Sequence, residues 1–77
     1  MEKLPIFQER LLLVRRRREL TQAKLAAQAD VCMTDISKYE RGQSMPTLPR
    51  LVRLADALGT SADFLLGRTG EEVPAHG

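Results

Sequence analysis

The chain lacks most of the residues on which catalytic and metal chemistry is built. It has a single cysteine, Cys32, so neither an internal disulfide nor a cysteine-only metal cluster can form. Its one histidine, His76, stands far along the chain from that cysteine, and no HExxH or CxxC pattern occurs. No glycine-rich phosphate loop follows a strand, and the paired carboxylates Glu71 and Glu72 have no pocket-forming sequence around them. An enzyme is therefore not expected, and neither is a cofactor or a bound metal. Tryptophan is absent and only Phe7, Tyr39 and Phe64 are aromatic, which leaves the core to Leu, Val, Ile and Ala. The longest uninterrupted apolar run is Leu11 to Val14, far short of the ~20 residues a membrane span needs. The arginines follow these leucines rather than precede them, unlike a signal peptide. The expectation is a soluble, cytoplasmic chain with no membrane partner.

What is present suits one small domain: 77 residues, 43% apolar and 29% charged. The net charge of +2 hides an asymmetry. Residues 1–53 carry eleven basic and six acidic groups, net +5, whereas residues 54–77 carry one basic and four acidic groups, net −3. A basic front suits a polyanionic partner on one face.

Five helical segments are legible and no strand is, so the fold class is all-α. The first runs from about Pro5 to Arg18, with Phe7, Leu11 and Val14 on one stripe and Pro5 in the first turn. Thr21 reads as the N-cap of a second, alanine-rich helix, Gln22 to Ala29, whose one large apolar residue is Leu25. A short break at Asp30-Val31 precedes a third helix, from Cys32 or Met33 to about Arg41, with Ile36 and Tyr39 inward and Gly42 ending it. Thr47 reads as the cap of a fourth helix with Leu48, Leu51, Ala55 and Leu58 on one face, closed by Gly59. Ser61 caps a last short helix offering Phe64 and Leu65 to the core, closed by Gly67. Residues 1–67 read as the folded domain and 68–77 as a flexible tail lacking apolar periodicity.

The segment from Thr21 to Gly42 carries the function. A small-sided helix, a tight turn and a second short helix form a helix-turn-helix arrangement. The sequence resembles the phage-repressor and Cro-like helix-turn-helix family, the Xre-type transcriptional regulators, over about residues 7–67. The resemblance rests on Thr21-Gln22, Leu25-Ala26, Val31, Ile36-Ser37, Tyr39-Glu40-Arg41-Gly42, Pro46, Leu54-Ala55 and Leu58-Gly59. It implies a compact five-helix, lambda-repressor-like domain that binds double-stranded DNA with the third helix in the major groove. The matching base-reading positions are Met33, Thr34, Ser37 and Lys38. Lys38 can donate to guanine, Thr34 can bond a base edge or touch a thymine methyl, and Met33 can touch thymine methyls. Gln22 resembles the family's phosphate-gripping glutamine, while Arg41, Gln43 and Ser44 look placed to hold a second phosphate.

Arg15 matches a family arginine that pairs with the glutamate matching Glu40. This would be a structural ion pair tying the first helix to the third. Arg16 and Arg17 are expected in solvent, and Arg18 at the C-terminus of its own helix. Glu19 and Asp30 depart from the family by standing where glycine is frequent, and Cys32 replaces the usual Ser or Thr cap with a weak acceptor. Most simply the chain is a repressor working as a homodimer on a two-fold related site, because one small module buries too little surface for high specificity. The dimer is expected to use the bundle itself, through its last helices. The rival reading is an antitoxin-like or adaptor-like module that holds a protein partner through a surface patch of Ile6, Leu12 and Leu13.

Overall fold

In a computed structural model, residues 6–70 are described. They form α1 (Ile6–Arg17), α2 (Gln22–Ala29), α3 (Met33–Glu40), α4 (Leu48–Leu58) and α5 (Ala62–Leu65), with no strand among the described residues. Pro5, expected in the first turn, lies outside the described residues, as do His76 and the Glu71-Glu72 pair.

Each helix turns one apolar stripe inward. Phe7, Leu11 and Val14 from α1 meet Leu25, Ala26 and Ala29 from α2, Ile36 and Tyr39 from α3, and Phe64 and Leu65 from α5. Phe7 and Tyr39 pack edge to face, with ring centroids 6.2 Å apart. The small side chains of α2 let it pack against both α3 and α4, while α1 bridges α3 and α5. In α4 the inward set is Leu51, Leu54, Ala55 and Leu58. Leu48, expected in that stripe, is 69% exposed instead. It opens the helix one turn beyond the end of the core, so it has nothing to pack on, and Leu54 takes the interior place.

The helix ends share one device. In all five, an N–H just past the last turn reaches back five residues in the Schellman pattern: Leu20 to Arg15 O, Val31 to Ala26 O, Gln43 to Lys38 O, Thr60 to Ala55 O and Arg68 to Asp63 O, at 2.8–3.1 Å. The residue before each donor must be left-handed. Glycine does this at Gly42, Gly59 and Gly67, but Glu19 and Asp30 do it with φ of 58° and 57°. The departure from glycine at these two positions therefore leaves a left-handed backbone carrying a Cβ. The donor residue is also where an apolar contact normally closes the motif. Leu20 and Val31 supply it, whereas Thr60 buries a hydroxyl that has no hydrogen-bond partner among the described residues.

Arginines supply a second layer of capping. Arg10 donates to Phe64 O at 2.7 Å and to Thr69 O at 2.6 Å, its guanidinium 4.3 Å from the Phe64 ring centroid. Arg53 donates to Ala29 O at 3.0 Å, at the end of α2. Arg18, expected at the end of its own helix, donates to Leu58 O at 2.8 Å, at the end of α4. Arg18 and Arg53 place a cation on carbonyls at a helix end, and Arg10 adds a second donor to Phe64 O, which also accepts from the Gly67 amide at 3.1 Å. The segment expected as a tail from Arg68 thus begins with residues tied to the bundle, and residues 71–77 lie outside the described part.

At the N-termini, Thr21 Oγ1 accepts from the Lys24 amide and Ser61 Oγ from the Phe64 amide, both at 3.0 Å. Thr47 holds the cap position of α4 but its side chain accepts nothing. One of the two amides a cap normally engages belongs here to Pro49, which has no N–H.

Candidate nucleic-acid interface

The inward residues of α3 are Ile36, Tyr39 and Glu40. At about 100° per residue, Ser37, Arg41, Thr34 and Lys38 fall on the outward side within about 100° of one another, with Met33 at its edge beside Glu40. Met33, Thr34, Lys38 and Arg41 are exposed and Ser37 is partly exposed, so the structure brings all four expected base-reading positions onto one uncovered face. Asp35 lies off that face and approaches Arg50 of α4 at 3.8 Å, a loose surface pair.

Behind this face the helix is held by charge. Arg15 donates to Glu40 through Nε at 2.5 Å and Nη2 at 3.0 Å, a two-point contact that fixes both position and rotation. Their side chains are 14% and 6% exposed, so solvent screens the pair little. Arg15 Nη1 also donates to Leu20 O at 2.8 Å, which ties the turn after α1 to the same cluster.

Gln22, expected to grip a phosphate, is half-buried and donates from Nε2 to Glu40 Oε1 at 2.9 Å. The first residue of α2 is thereby coupled to α3. Arg41 folds back onto its own helix, donating to Ser37 Oγ, and contacts Gln43 Oε1 at 3.3 Å. Gln43 and Ser44 are exposed in the loop after α3. Gly42 packs beside Gln8 of α1, whose flexible side chain a Cβ would push aside from 2.5 Å, and its φ of 74° is what favours glycine here.

Cys32 is exposed at the N-terminus of α3 and makes no side-chain capping bond of normal geometry. The Thr34 amide, then the Thr34 hydroxyl and the Asp35 amide, nevertheless hold its thiol pKa below the usual value. Of the expected contact patch, Ile6 and Leu13 are about two-fifths exposed and lie two turns apart on one line of α1. Leu12 is half-buried and a quarter-turn away. Unremarked in the sequence, Leu48 and Val52 form a second exposed apolar pair on α4.

Four arginines of the basic front half are committed to structure, Arg10, Arg15, Arg18 and Arg53 all being turned to carbonyls or to Glu40. Arg10 and Arg53 carry no sequence signal of this, because nothing local distinguishes a capping arginine from a solvated one. Arg16, Arg17, Arg18, Lys24, Lys38 and Arg41 are the exposed cations of α1 to α3 and the turn beyond, with Arg18 reaching Leu58 O. No group of His, Cys, Asp or Glu among the described residues could hold a metal ion. No described helix is long and apolar enough to cross a membrane.

A small-sided helix, a three-residue turn at 30–32 and a second helix braced from behind with its polar face uncovered define a helix-turn-helix protein. The helix-turn-helix family model matches residues 11–65, and the chain belongs to that family. It is 43% identical over 60 residues to the cryptic phage CTXphi transcriptional repressor RstR of Vibrio cholerae, covering 78% of this chain and 54% of that one. It is 36% identical over 64 residues to the SPbeta prophage-derived regulator YonR of Bacillus subtilis, covering 83% of this chain and 59% of that one. The chain therefore spans little more than half the length of these relatives. Among solved structures, the P22 c2 repressor in complex with a synthetic operator superposes with a TM-score of 0.76 at 32% identity, covering 84% of this chain and 96% of that one.

Proposed function

We propose that this chain is a sequence-specific DNA-binding module of a phage-type transcriptional repressor, residues 1–67 forming the module, acting in the cytoplasm and without catalytic activity. The observation that carries this reading is the α3 face of Met33, Thr34, Ser37 and Lys38, uncovered in front and locked behind through Arg15 and Glu40. A helix fixed this firmly can present side chains to base edges without a further cost of ordering its backbone. Gln43 and Ser44 then meet the DNA backbone beside the groove, and Gln22 does so while still bonded to Glu40. The P22 c2 repressor, solved with an operator, supports the same use of the fold.

The module acts as a homodimer. Its extents are 33 × 30 × 23 Å. Half-sites one helical turn apart, about 34 Å, would set two copies edge to edge on one face of the duplex. Selection from a random duplex pool at physiological salt tests this directly. The expected result is an enriched two-fold symmetric site, lost in the Thr34→Ala/Lys38→Ala double variant while its melting curve stays unchanged. Selection that ignores both substitutions would remove α3 as the reading element.

The exposure of Ile6 and Leu13 on one line of α1 supports a second reading, a protein partner held by Ile6, Leu12 and Leu13. Leu13→Ser separates the two readings. It should abolish self-association or partner binding if that surface is used, and should change neither if it is not.

A further inference from the structure

Resting on the DNA-binding reading above, we infer that Arg41 reads a guanine in the major groove instead of gripping a phosphate, and that Ser37 holds it in place to do so. Position 41 follows the last residue of α3, where a recognition helix is leaving the groove, and a side chain pointing straight out there would meet the DNA backbone. Arg41 does not point straight out. Its Nη1 donates to Ser37 Oγ, one turn nearer the helix N-terminus, which moves the guanidinium back by about 6 Å along the axis. There it lies over the middle of the face, between Met33 and Lys38 in angle.

The second anchor is Gln43 Oε1, 3.3 Å from Nη2. Two of the five guanidinium N–H groups are so engaged, and the remaining three include adjacent donors that can form a parallel pair. Guanine O6 and N7 are the acceptors that fit such a pair. Asp35, the acidic group of this helix not committed to the core, is turned toward Arg50 and does not compete for Arg41. A phosphate contact needs only a positive charge and tolerates lysine. A base contact made by the planar fork instead depends on the two side chains that fix it, and it carries a base preference that a phosphate contact lacks.

The experiment is site selection followed by affinity measurement over a range of salt, on wild type, Arg41→Gln, Ser37→Ala and the double variant. Wild type should select guanine at one position of each half-site. Arg41→Gln should lose that preference and bind the selected site about ten- to a hundred-fold more weakly. Ser37→Ala should weaken the preference at the same base pair, and the double variant should be no worse there than Arg41→Gln alone. Selection of the same sequence by Arg41→Gln as by wild type, with a salt slope smaller by about one, would mark a phosphate contact, overturn the inference and leave the DNA-binding reading intact. Failure of wild type to select any sequence would remove that reading, and this one with it.

Discussion

Replacing Glu40 by alanine should be among the most damaging single changes in this protein. Glu40 accepts from Arg15 Nε at 2.5 Å, from Arg15 Nη2 at 3.0 Å and from Gln22 Nε2 at 2.9 Å, with its own side chain 6% exposed. Glu40→Ala strands the Arg15 guanidinium, itself 14% exposed, with only the Leu20 carbonyl as partner. Breaking a buried pair by removing one member costs about 3–5 kcal/mol. The surviving Leu20 bond, and a Gln22 exposed enough for water to replace its lost acceptor, place this case near the lower figure, about 3 kcal/mol. A domain of this length has roughly 4–12 kcal/mol in total. The melting temperature should fall by about 12–24 °C, since 1 kcal/mol moves a domain of this size by about 4–8 °C.

Replacing the pair together, as Arg15→Met with Glu40→Leu, strands no charge and should return to within about 1 kcal/mol of wild type. Thermal denaturation followed by far-ultraviolet circular dichroism measures all of these. A Glu40→Ala protein melting within about 4 °C of wild type would show that the pair is worth no more than a surface contact. A double variant as unstable as the two single losses added together would refute the stranded-charge mechanism. Arg15→Ala should lower both melting temperature and DNA affinity, and lost binding with an unchanged melting curve would contradict its role as a brace.

Three further substitutions test the helix ends. Glu19→Gly relieves a left-handed residue at φ 58° and should raise stability by about 1 kcal/mol, with Asp30→Gly gaining less because aspartate tolerates that conformation better. A lower melting temperature for Glu19→Gly would mean that its side chain contributes more than its backbone costs. Thr60→Val keeps the shape of a buried residue and removes its unpartnered hydroxyl, so it should stabilise by about 1 kcal/mol in urea unfolding. No change or a loss would show that the hydroxyl is solvated in solution. For Cys32, alkylation rate against pH should have its midpoint below that of a free thiol, and Thr34→Ala should move it upward by removing one donor to the thiolate. An unshifted midpoint in the parent protein would remove this electrostatic account.

Much of this architecture is written in local pattern. The apolar stripe of α1, the caps at Thr21 and Ser61 and the glycine ends at Gly42, Gly59 and Gly67 depend on residues within one or two turns of each other. The motif from Thr21 to Gly42 was legible for the same reason, and so was the face of Met33, Thr34, Ser37 and Lys38, which follows once Ile36 and Tyr39 face inward. Even the left-handed turns at Glu19 and Asp30 could be anticipated, since backbone geometry there is set by neighbours in sequence.

The destinations of the long polar side chains were decided only by tertiary structure. Arg10, Arg18 and Arg53 look alike in sequence, yet each ends on a carbonyl 54, 40 or 24 residues away. Gln22 turned out to bond Glu40, and Arg41 lay back over Ser37. Leu48 and Leu54 are equally apolar, and only the extent of the core beneath α4 put one outside and the other inside. Helix formation and capping are short-range equilibria that a few adjacent residues settle. A flexible cation instead pairs with whichever unpaired oxygen the packing of distant helices brings within its reach.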